Sequence, residues 1–303
     1  MTAGRALVTG ASGFIGRHLC RRLVEKDFEV HGVSRRENDE KDRGISWHQA
    51  DLTSLADVEQ VLASVRPELI FHLAGEVTGN RKLESILPTF QSNLASTVYI
   101  MTKAAAAGCR RFILTGSLEE PDAQAPAIPP SPYAAAKWSA GGYARMFWAL
   151  YELPISIARL FMVYGPAQRD LSKLVPYVIL SLLRGEAPKL SSGQRPVDWI
   201  FVEDAVDGLI LMADAPSIEG KTLELGSGNL VSIRQIVEEI TRLMDSSVKP
   251  LFGALPERPM EQVRVADVED SYRMIGWRPK TPLTSGLQKT IDWYSARKSE
   301  WRN

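Results

Sequence analysis

The chain has 303 residues, of which 45% are hydrophobic and 24% charged, and its 36 basic and 36 acidic side chains leave no formal net charge. The length allows one large domain or two small ones, and the charge balance argues against a nucleic-acid-binding protein, which usually carries a basic excess. The charge balance therefore predicts that no nucleic acid is a partner. No apolar run approaches the roughly 20 residues that a membrane span needs, so we do not expect a membrane as partner either.

The first half of the chain alternates short apolar runs with amphipathic stretches. Strands are predicted at RALVT, FEVHGVS, ISWHQA, ELIFHLA, RRFILTG and PISIARL, and the helices between them include 13–26, 84–107 and 131–150. Strands that alternate with helices form parallel sheets through right-handed crossovers. The pattern therefore predicts an α/β fold with a Rossmann-type, doubly wound parallel sheet.

After Gly165 the rhythm changes. Helices are predicted over 171–184, over VSIRQIVEEITRLM, which ends near Met244, and over 283–294. The stretch VDWIFVEDAVDGLILMA predicts a strand followed by a helix. We divide the chain into a dinucleotide-binding domain over 1–165 and a smaller C-terminal α/β part over 166–303 that is mainly substrate-binding. A segment near 196–225 is expected to return to the first domain.

The glycine triplet after the first strand is typical of a dinucleotide cradle. Gly10 permits a tight turn, Gly13 lets backbone N–H groups approach a pyrophosphate, and Gly16 lets the helix pack close to the sheet. The positive end of that helix would face the phosphates. A purely structural turn is the alternative. The predicted cradle consists of Gly10, Ser12, Gly13, Phe14, Ile15 and Gly16.

The end of the second predicted strand carries Ser34, Arg35 and Arg36. NAD-binding proteins commonly place an acidic residue there for the ribose 2′-OH, whereas an arginine accommodates the 2′-phosphate of NADP. Guanidiniums pair readily with phosphate. We therefore predict NADP(H) as the cofactor, with NAD(H) as the weaker alternative. A solvated charged loop is the structural alternative.

Tyr133 and Lys137 are spaced to share one face of a helix. A phenol with a reference pKa of about 10 is a poor base at neutral pH. A neighbouring ammonium, together with a cationic nicotinamide ring, would lower the pKa of Tyr133. Such a tyrosine can move a proton to or from a sugar hydroxyl while hydride moves to or from the ring. An ordinary surface pair is the alternative, because this short motif can occur by chance.

The cysteines and histidines predict neither disulfides nor metal. Cys20 and Cys109 give no disulfide framework and suit a reducing cytoplasm, and the histidines show no ligand spacing. Because the residues from Met1 to Gly10 already have the pattern of a strand, no signal peptide is expected. We therefore predict a cytoplasmic location.

Several motifs follow one another in a characteristic order. They are TGASGFIG, Asp51-Leu52, HLAG at 72–75, Tyr133 with Lys137, RLFMVYGP at 159–166, Asp204 and GWRP at 276–279. The set resembles the extended short-chain dehydrogenase/reductase family of NAD(P)-dependent sugar-nucleotide epimerases, dehydratases and reductases, over nearly the whole chain. The resemblance implies a nucleotide-diphosphate sugar as substrate. It also implies a homodimer through a four-helix bundle, for which 84–107 and 131–150 are the candidate helices.

The resemblance further implies a role for individual residues. Tyr133 would be the acid/base, Lys137 would hold the nicotinamide ribose and tune Tyr133, and Ser117 would bind the reacting sugar oxygen. Adenine would lie near Asp51 and Leu52. The nicotinamide half would lie near Leu73, Ala74, Gly75 and Thr115.

The residues after Ser117 separate branches of the family. The 4,6-dehydratases carry an acidic or serine residue and then a catalytic glutamate; here Glu119 takes the place of the glutamate, but Leu118 removes the aspartate. The Gly-Ser-x-Glu-Glu pattern also resembles the GDP-4-keto-6-deoxy-mannose reductases, relatives of the GDP-mannose dehydratases. The first expectation is therefore reduction of a 4-keto-6-deoxy nucleotide sugar at C4. The alternatives are, in order, a 4-epimerase with retained cofactor, a 4,6-dehydratase and a non-catalytic NADP(H)-binding protein. A solvated loop is the alternative for Glu119 and Glu120.

Two departures from the family pattern concern the substrate. Met162 stands where the family usually has asparagine, and Val197 replaces an arginine that binds the diphosphate. Arg195 or Arg264 would then serve the diphosphate, with an exposed turn position as the alternative for Arg195.

Overall fold

The structure is a computed structural model that describes residues 4–36, 44–121 and 127–301. Its strands are β1 (Arg5–Thr9), β2 (Glu29–Ser34), β3 (Ile45–Gln49), β4 (Leu69–His72), β5 (Arg111–Ser117), β6 (Ile155–Leu160), β7 (Met162–Tyr164), β8 (Pro196–Phe201), β9 (Thr222–Leu225) and β10 (Leu230–Ser232). Within these ranges, seven strands form one parallel sheet in the order β3-β2-β1-β4-β5-β6-β9. The predicted Rossmann-type sheet is confirmed.

The strand order reverses between β1 and β4, which lie side by side with Thr9 opposite His72. Ligands of open α/β sheets bind outside the carboxyl ends of the strands at such a switch point. Every residue of β4 and β5 is buried, as expected for parallel strands that are covered on both faces. The carboxyl ends of these strands therefore form the edge at which a functional site is to be sought.

Helices cover both faces of the sheet. They are α1 (Phe14–Val24), α2 (Leu55–Val65), α3 (Ile86–Thr89), α4 (Ser96–Ala107), α5 (Pro132–Tyr151), α6 (Leu174–Arg184), α7 (Val202–Asp214), α8 (Ile233–Leu243), α9 (Val268–Ile275) and α10 (Leu283–Ala296). One apolar core holds Leu19 of α1 and Leu209 of α7, and the other holds Leu62 of α2, Met101 of α4 and Ala140 of α5. None of the described helices is both long and apolar enough to cross a membrane.

The helix predicted over 84–107 is divided. A 3₁₀ turn at Leu83–Ser85 precedes α3, and a π-helical stretch at Phe90–Ala95 joins α3 to α4. Proline has no N–H to continue a helical ladder, and Pro88 lies within α3. The Ser92 hydroxyl also bonds to the Pro88 carbonyl oxygen at 2.8 Å, a local side-chain contact that competes with regular helix geometry.

A second, three-stranded sheet within the described residues has the order β10-β8-β7. Its core joins α6, α8 and α10 through side chains such as Val178, Ile236 and Leu287. The chain then returns to the first sheet, because β9 pairs with β6 and α7 packs against α1. The division into domains at Gly165 stays a prediction.

Candidate active site

The loop after β1 approaches the loop after β4 with no side chain between them. Gly10 has a φ of 68°, and a Cβ on it would lie 2.8 Å from the backbone nitrogen of Ala74. A Cβ on Gly16 would overlap the Gly10 carbonyl oxygen. Both positions therefore require glycine, and the start of α1 is brought close to the carboxyl ends of β1 and β4.

The N-terminus of α1 has neither a side-chain cap nor an acidic residue in its first turn. Its N-cap, Gly13, is exposed and donates its N–H to the Gly10 carbonyl oxygen at 2.9 Å. The partly buried neighbours are Ser12, Phe14 and Ile15. Uncapped N–H groups at the positive end of a helix suit an anion, so this turn fits the pyrophosphate of a dinucleotide.

The ends of β2 and β3 lie together beside this turn. Ser34 is partly buried, whereas Arg35 and Arg36 are exposed, and no described acidic residue forms an ion pair with either guanidinium. The rest of the charged loop, 37–43, lies outside the described residues. Asp51 accepts hydrogen bonds from the N–H and hydroxyl of Thr53 at 2.9 and 2.8 Å, and its neighbour Leu52 is buried.

Lys137 is a buried cation whose partners are neutral. Its Nζ donates to the Thr115 carbonyl oxygen at 2.9 Å and lies 3.5 Å from the Thr115 hydroxyl. Burial lowers the pKa of Lys137 to about 8, although the charge of Glu120 opposes this. In the described part of the chain no carboxylate forms a salt bridge with it. A buried ammonium seeks further acceptors, and ribose hydroxyls are of that kind.

Tyr133 lies one turn before Lys137, near the start of α5. Ser131 caps this helix by accepting a hydrogen bond from the Ala134 N–H at 3.1 Å. The Tyr133 side chain is buried and hydrogen-bonded to the side chain of Ser117. Ser117 also accepts the N–H of Glu119 at 3.2 Å. The structure thus brings the predicted group of Ser117, Tyr133 and Lys137 together at the end of β5.

Without a nicotinamide ring, the pKa of Tyr133 is not lowered. Burial raises the pKa of Tyr133 well above its ordinary value, and the hydrogen bond with Ser117 only partly offsets this. The charges of Glu119 and Glu120 raise it further. Burial disfavours the phenolate more strongly than the surroundings stabilise it, so Tyr133 is a neutral phenol. Glu119 itself is partly exposed.

His72, which begins the HLAG motif, lies buried beneath the site. His72 is fully buried, with Nδ1 2.8 Å from the Thr9 hydroxyl and Nε2 2.9 Å from that of Thr97. Burial lowers the pKa of His72 to about 3, so the ring is neutral. Thr9 also accepts the N–H of Ala74 at 3.2 Å, which ties together the two loops of the cradle.

The predicted substrate residues lie in different surroundings. Met162, in β7, is partly buried and packs against the cores of both sheets. Arg195 pairs with Glu261 at 3.0 Å and donates to the Gln262 carbonyl oxygen at 3.0 Å. Arg264 lies nearer the catalytic group, because its Nη1 is 3.4 Å from the carbonyl oxygen of Glu120. Their contacts with a substrate stay predictions.

No three histidine, cysteine or acidic side chains in the described ranges are grouped as a metal site.

Comparisons with known proteins agree with the Rossmann-type fold. The family model described as the NAD dependent epimerase/dehydratase family matches residues 6–226. The chain is 31% identical over 319 residues to a UDP-glucose 4-epimerase of Mycolicibacterium smegmatis, with 96% of this chain and 98% of the relative covered. It is 30% identical over 340 residues to a dTDP-glucose 4,6-dehydratase of Neisseria meningitidis serogroup B, with 99% and 95% covered.

A solved structure is similar over the same extent. The UDP-glucuronic acid 4-epimerase of Bacillus cereus, in complex with UDP-glucuronic acid and NAD, matches with a TM-score of 0.87 and 22% identity. The match covers 97% of this chain and 99% of that one, so the fold is shared throughout.

Proposed function

Because the chain belongs to the NAD dependent epimerase/dehydratase family of extended short-chain dehydrogenase/reductase enzymes, we propose that it performs NAD(P)-dependent oxidoreduction at C4 of a nucleotide-diphosphate sugar. The specific reaction that we propose is reduction of a 4-keto-6-deoxy nucleotide sugar. The observation that carries the proposal is the buried group of Ser117, Tyr133 and Lys137 at the carboxyl end of β5.

The residues of the cradle fit a dinucleotide. Gly10 and Gly16 leave no room for side chains, and the N-terminus of α1 offers uncapped N–H groups to a pyrophosphate. Lys137 would hold the nicotinamide ribose, since its ammonium has only neutral acceptors within the protein. The bound dinucleotide supplies the hydride that reduces a carbonyl.

Three side chains would direct proton transfer to the oxygen on C4. The Ser117 hydroxyl orients the carbonyl oxygen, and the Tyr133 phenol donates its proton to that oxygen as negative charge develops there. Lys137, with a pKa of about 8, is largely protonated at pH 7, so its positive charge stabilises the phenolate that remains. The raised pKa of Tyr133 keeps the proton in place until the oxygen becomes basic enough to accept it.

A 4-epimerase is the second candidate function. The similarity to a UDP-glucose 4-epimerase over 96% of the chain favours it. An epimerase begins by removing a proton from the C4 hydroxyl, which requires the phenolate form of Tyr133. Burial raises the pKa of Tyr133 in the cofactor-free protein, so an epimerase would need the bound cofactor to lower it. We place reduction first because of the Gly-Ser-x-Glu-Glu pattern at 116–120.

A 4,6-dehydratase and a non-catalytic binding protein rank lower. Leu118 is 5% exposed and belongs to the apolar core, so no acid is available at the position where dehydratases carry aspartate. A non-catalytic NADP(H)-binding protein has no need of a tyrosine hydroxyl in contact with a serine at the end of β5.

For the cofactor we propose NADP(H). Arg35 and Arg36 stand exposed at the end of β2, where a 2′-phosphate would be bound. The family description and the NAD complex of the Bacillus cereus relative favour NAD(H) instead. We give greater weight to the two arginines, because they are observed in this chain itself.

We also propose a homodimer through a four-helix bundle. Neighbouring helical segments around α3 and along α5 expose large apolar side chains, namely Leu83, Ile86, Leu87, Phe90, Trp138 and Tyr143. In the aromatic run at the end of α5, Phe147 is buried whereas Trp148 and Tyr151 are exposed. Sedimentation of the purified protein as a monomer would remove this proposal.

A cytoplasmic location remains a proposal. Cys20 and Cys109 are both free thiols in the structure, as expected for a reducing compartment.

The function is tested by adding NADPH or NADH to the purified protein with each of a panel of GDP-, dTDP-, UDP- and CDP-4-keto-6-deoxyhexoses. Stoichiometric oxidation of the cofactor with one of them supports the ketoreductase and names its nucleotide. Without oxidation, the plain nucleotide sugars are incubated and examined for 4-epimers, which would support the second candidate. If neither reaction occurs, oxidoreduction at C4 is contradicted.

A further inference from the structure

Glu120 is a buried carboxylate beside the proposed catalytic group. It is 3% exposed, and its Oε1 accepts the backbone N–H of Ser117 at 2.6 Å. A Cβ on Gly116 would also lie 2.6 Å from that oxygen, so glycine is needed at 116 to admit the carboxylate. The sequence left a solvated loop open as the alternative for Glu120, and this alternative is wrong.

The second carboxylate oxygen of Glu120 connects β5 to the neighbouring strands β6 and β9. It pairs with Arg159 on β6 at 3.1 Å, and the other end of this guanidinium pairs with Glu224 on β9 at 2.8 Å. Glu224 in turn accepts the N–H of Asp267, the N-cap of α9, at 2.9 Å. A continuous set of charge-assisted contacts thus runs from the end of β5 to the C-terminal segment.

The backbone of Glu120 makes a further link to that segment. Its carbonyl oxygen lies 3.4 Å from Nη1 of Arg264, one of the two arginines considered for the diphosphate. Glu120 therefore holds two adjacent segments, which are the strand end that carries Ser117 and the stretch that carries Arg264 and Asp267.

We propose that Glu120, clamped by Arg159, is a positioning residue that fixes Ser117 against Tyr133 and ties the catalytic strand to the segment of Arg264. The inference rests on the proposed function, which gives Ser117 and Tyr133 their roles. Glu120 contacts the Ser117 backbone and acts on the reaction through its neighbours.

A carboxylate does more here than a neutral acceptor would. The negative charge of Glu120 raises the pKa of Tyr133 and that of Lys137. It therefore favours the phenol that donates a proton and the ammonium that stabilises the resulting phenolate. The other charged groups around Glu120 are Arg159, Glu224, Arg264 and Glu119.

A control pair, whose carboxylate is more exposed than Glu120, lies at the opposite end of the same strand. Arg111 begins β5, is buried, and pairs with Glu219 at 2.6 Å. This pair touches none of the proposed site residues. Glu219→Gln therefore reports what the loss of a carboxylate from an arginine pair on this sheet does to folding alone.

The first test needs no substrate. Lys137 is titrated by carbon-13 NMR at its Cε in the cofactor-free protein, and amide exchange is measured at Ser117. We expect Glu120→Gln to lower the pKa of Lys137 from about 8 and to speed exchange at Ser117 about tenfold or more. Glu219→Gln should leave both unchanged.

The second test uses the active enzyme. In Glu120→Gln we expect kcat to fall about tenfold or more with little change in the KM for the cofactor, and the pH profile of kcat to move to lower pH. Should this variant fail to fold, Arg159→Lys replaces it; a lysine keeps the charge but cannot hold both carboxylates, so kcat should again fall.

The proposal is overturned if the Glu120 variant titrates and exchanges like the wild type and loses no more kcat than Glu219→Gln. Glu120 would then be a structural ion-pair residue. Absence of turnover by the wild type with every nucleotide sugar would instead contradict the proposed function. In that case the titration of Lys137 and the exchange at Ser117 still decide whether Glu120 positions this group.

Discussion

Each end of strand β5 lies beside a buried cation, and the two cations differ in their partners. At the amino end, Arg111 pairs with Glu219 at 2.6 Å and donates to the Ala215 carbonyl oxygen at 2.7 Å. At the carboxyl end, Lys137 has the carbonyl and hydroxyl oxygens of Thr115, and among the described residues it has no salt-bridge partner. The first charge is compensated within the fold, whereas the second is left to interact with something else.

This difference separates a structural charge from a functional one. A buried charge without a partner destabilises a fold, and one response is a shifted pKa. The pKa of Lys137 falls to about 8 from an ordinary 10.5. The fold tolerates this cost at the edge where Ser117 and Tyr133 also lie, and the predictions below test whether that edge is the reactive one.

The largest expected effect follows removal of the Tyr133 hydroxyl. Tyr133→Phe should lower kcat about 10³-fold, because the proton donor is lost, and leave cofactor affinity unchanged in a fluorescence titration. Tyr294→Phe is the control, since it removes another buried phenol that donates to the Gln168 carbonyl oxygen in the C-terminal part. Equal kcat values for the two variants would refute the role of Tyr133.

The next effect concerns stability and pH at Lys137. Its pKa is about 8 when folded and near 10.5 when unfolded, so between these values the unfolded chain binds more protons and this group makes stability rise with pH. Lys137→Met removes the penalty, so the variant's advantage over the wild type should shrink from pH 7 to pH 10 by roughly 3 kcal/mol at most. Urea unfolding measures this, and a constant difference would contradict the buried charge.

The amino end of β5 should respond in the opposite direction. Arg111→Met breaks a pair whose Glu219 is partly exposed, so we expect the free energy of unfolding at pH 7 to fall by about 2 kcal/mol. Turnover per folded molecule should stay at the wild-type level. A variant that kept its stability but lost kcat would reverse the comparison between the two ends.

The smallest effect concerns the exposed cations at the end of β2. If Arg35 binds a 2′-phosphate, Arg35→Ala should weaken NADPH binding about tenfold and leave NADH binding unchanged, as measured by calorimetry. The same change at Arg273, whose side chain is 73% exposed on α9, serves as a surface control. Equal affinities of the wild type for the two cofactors would sink the assignment to NADP(H).

The sequence was sufficient for features that arise locally. The apolar runs predicted the parallel sheet, and the spacing of Gly10, Gly13 and Gly16 predicted a turn that demands small residues. The spacing of Tyr133 and Lys137 placed them on one helix, as the structure has them. Helix pitch, glycine geometry and strand burial each depend on near neighbours.

Features that depend on distant parts of the chain were not predictable. The burial of Glu120 depends on Arg159 and Glu224, which meet it only because β5, β6 and β9 are adjacent. The burial of Tyr133, which raises its pKa in the cofactor-free protein, was also not predictable, because the sequence shows its charged neighbours but not the extent of its burial.

The most direct test of oxidoreduction at C4 is to supply NADPH deuterated at the transferable position, with the 4-keto sugar that the panel identifies, and to locate deuterium in the product by NMR. We predict deuterium at C4 of the sugar with the wild type and little product with Tyr133→Phe. A product without deuterium at C4 would contradict hydride transfer from the cofactor to that carbon.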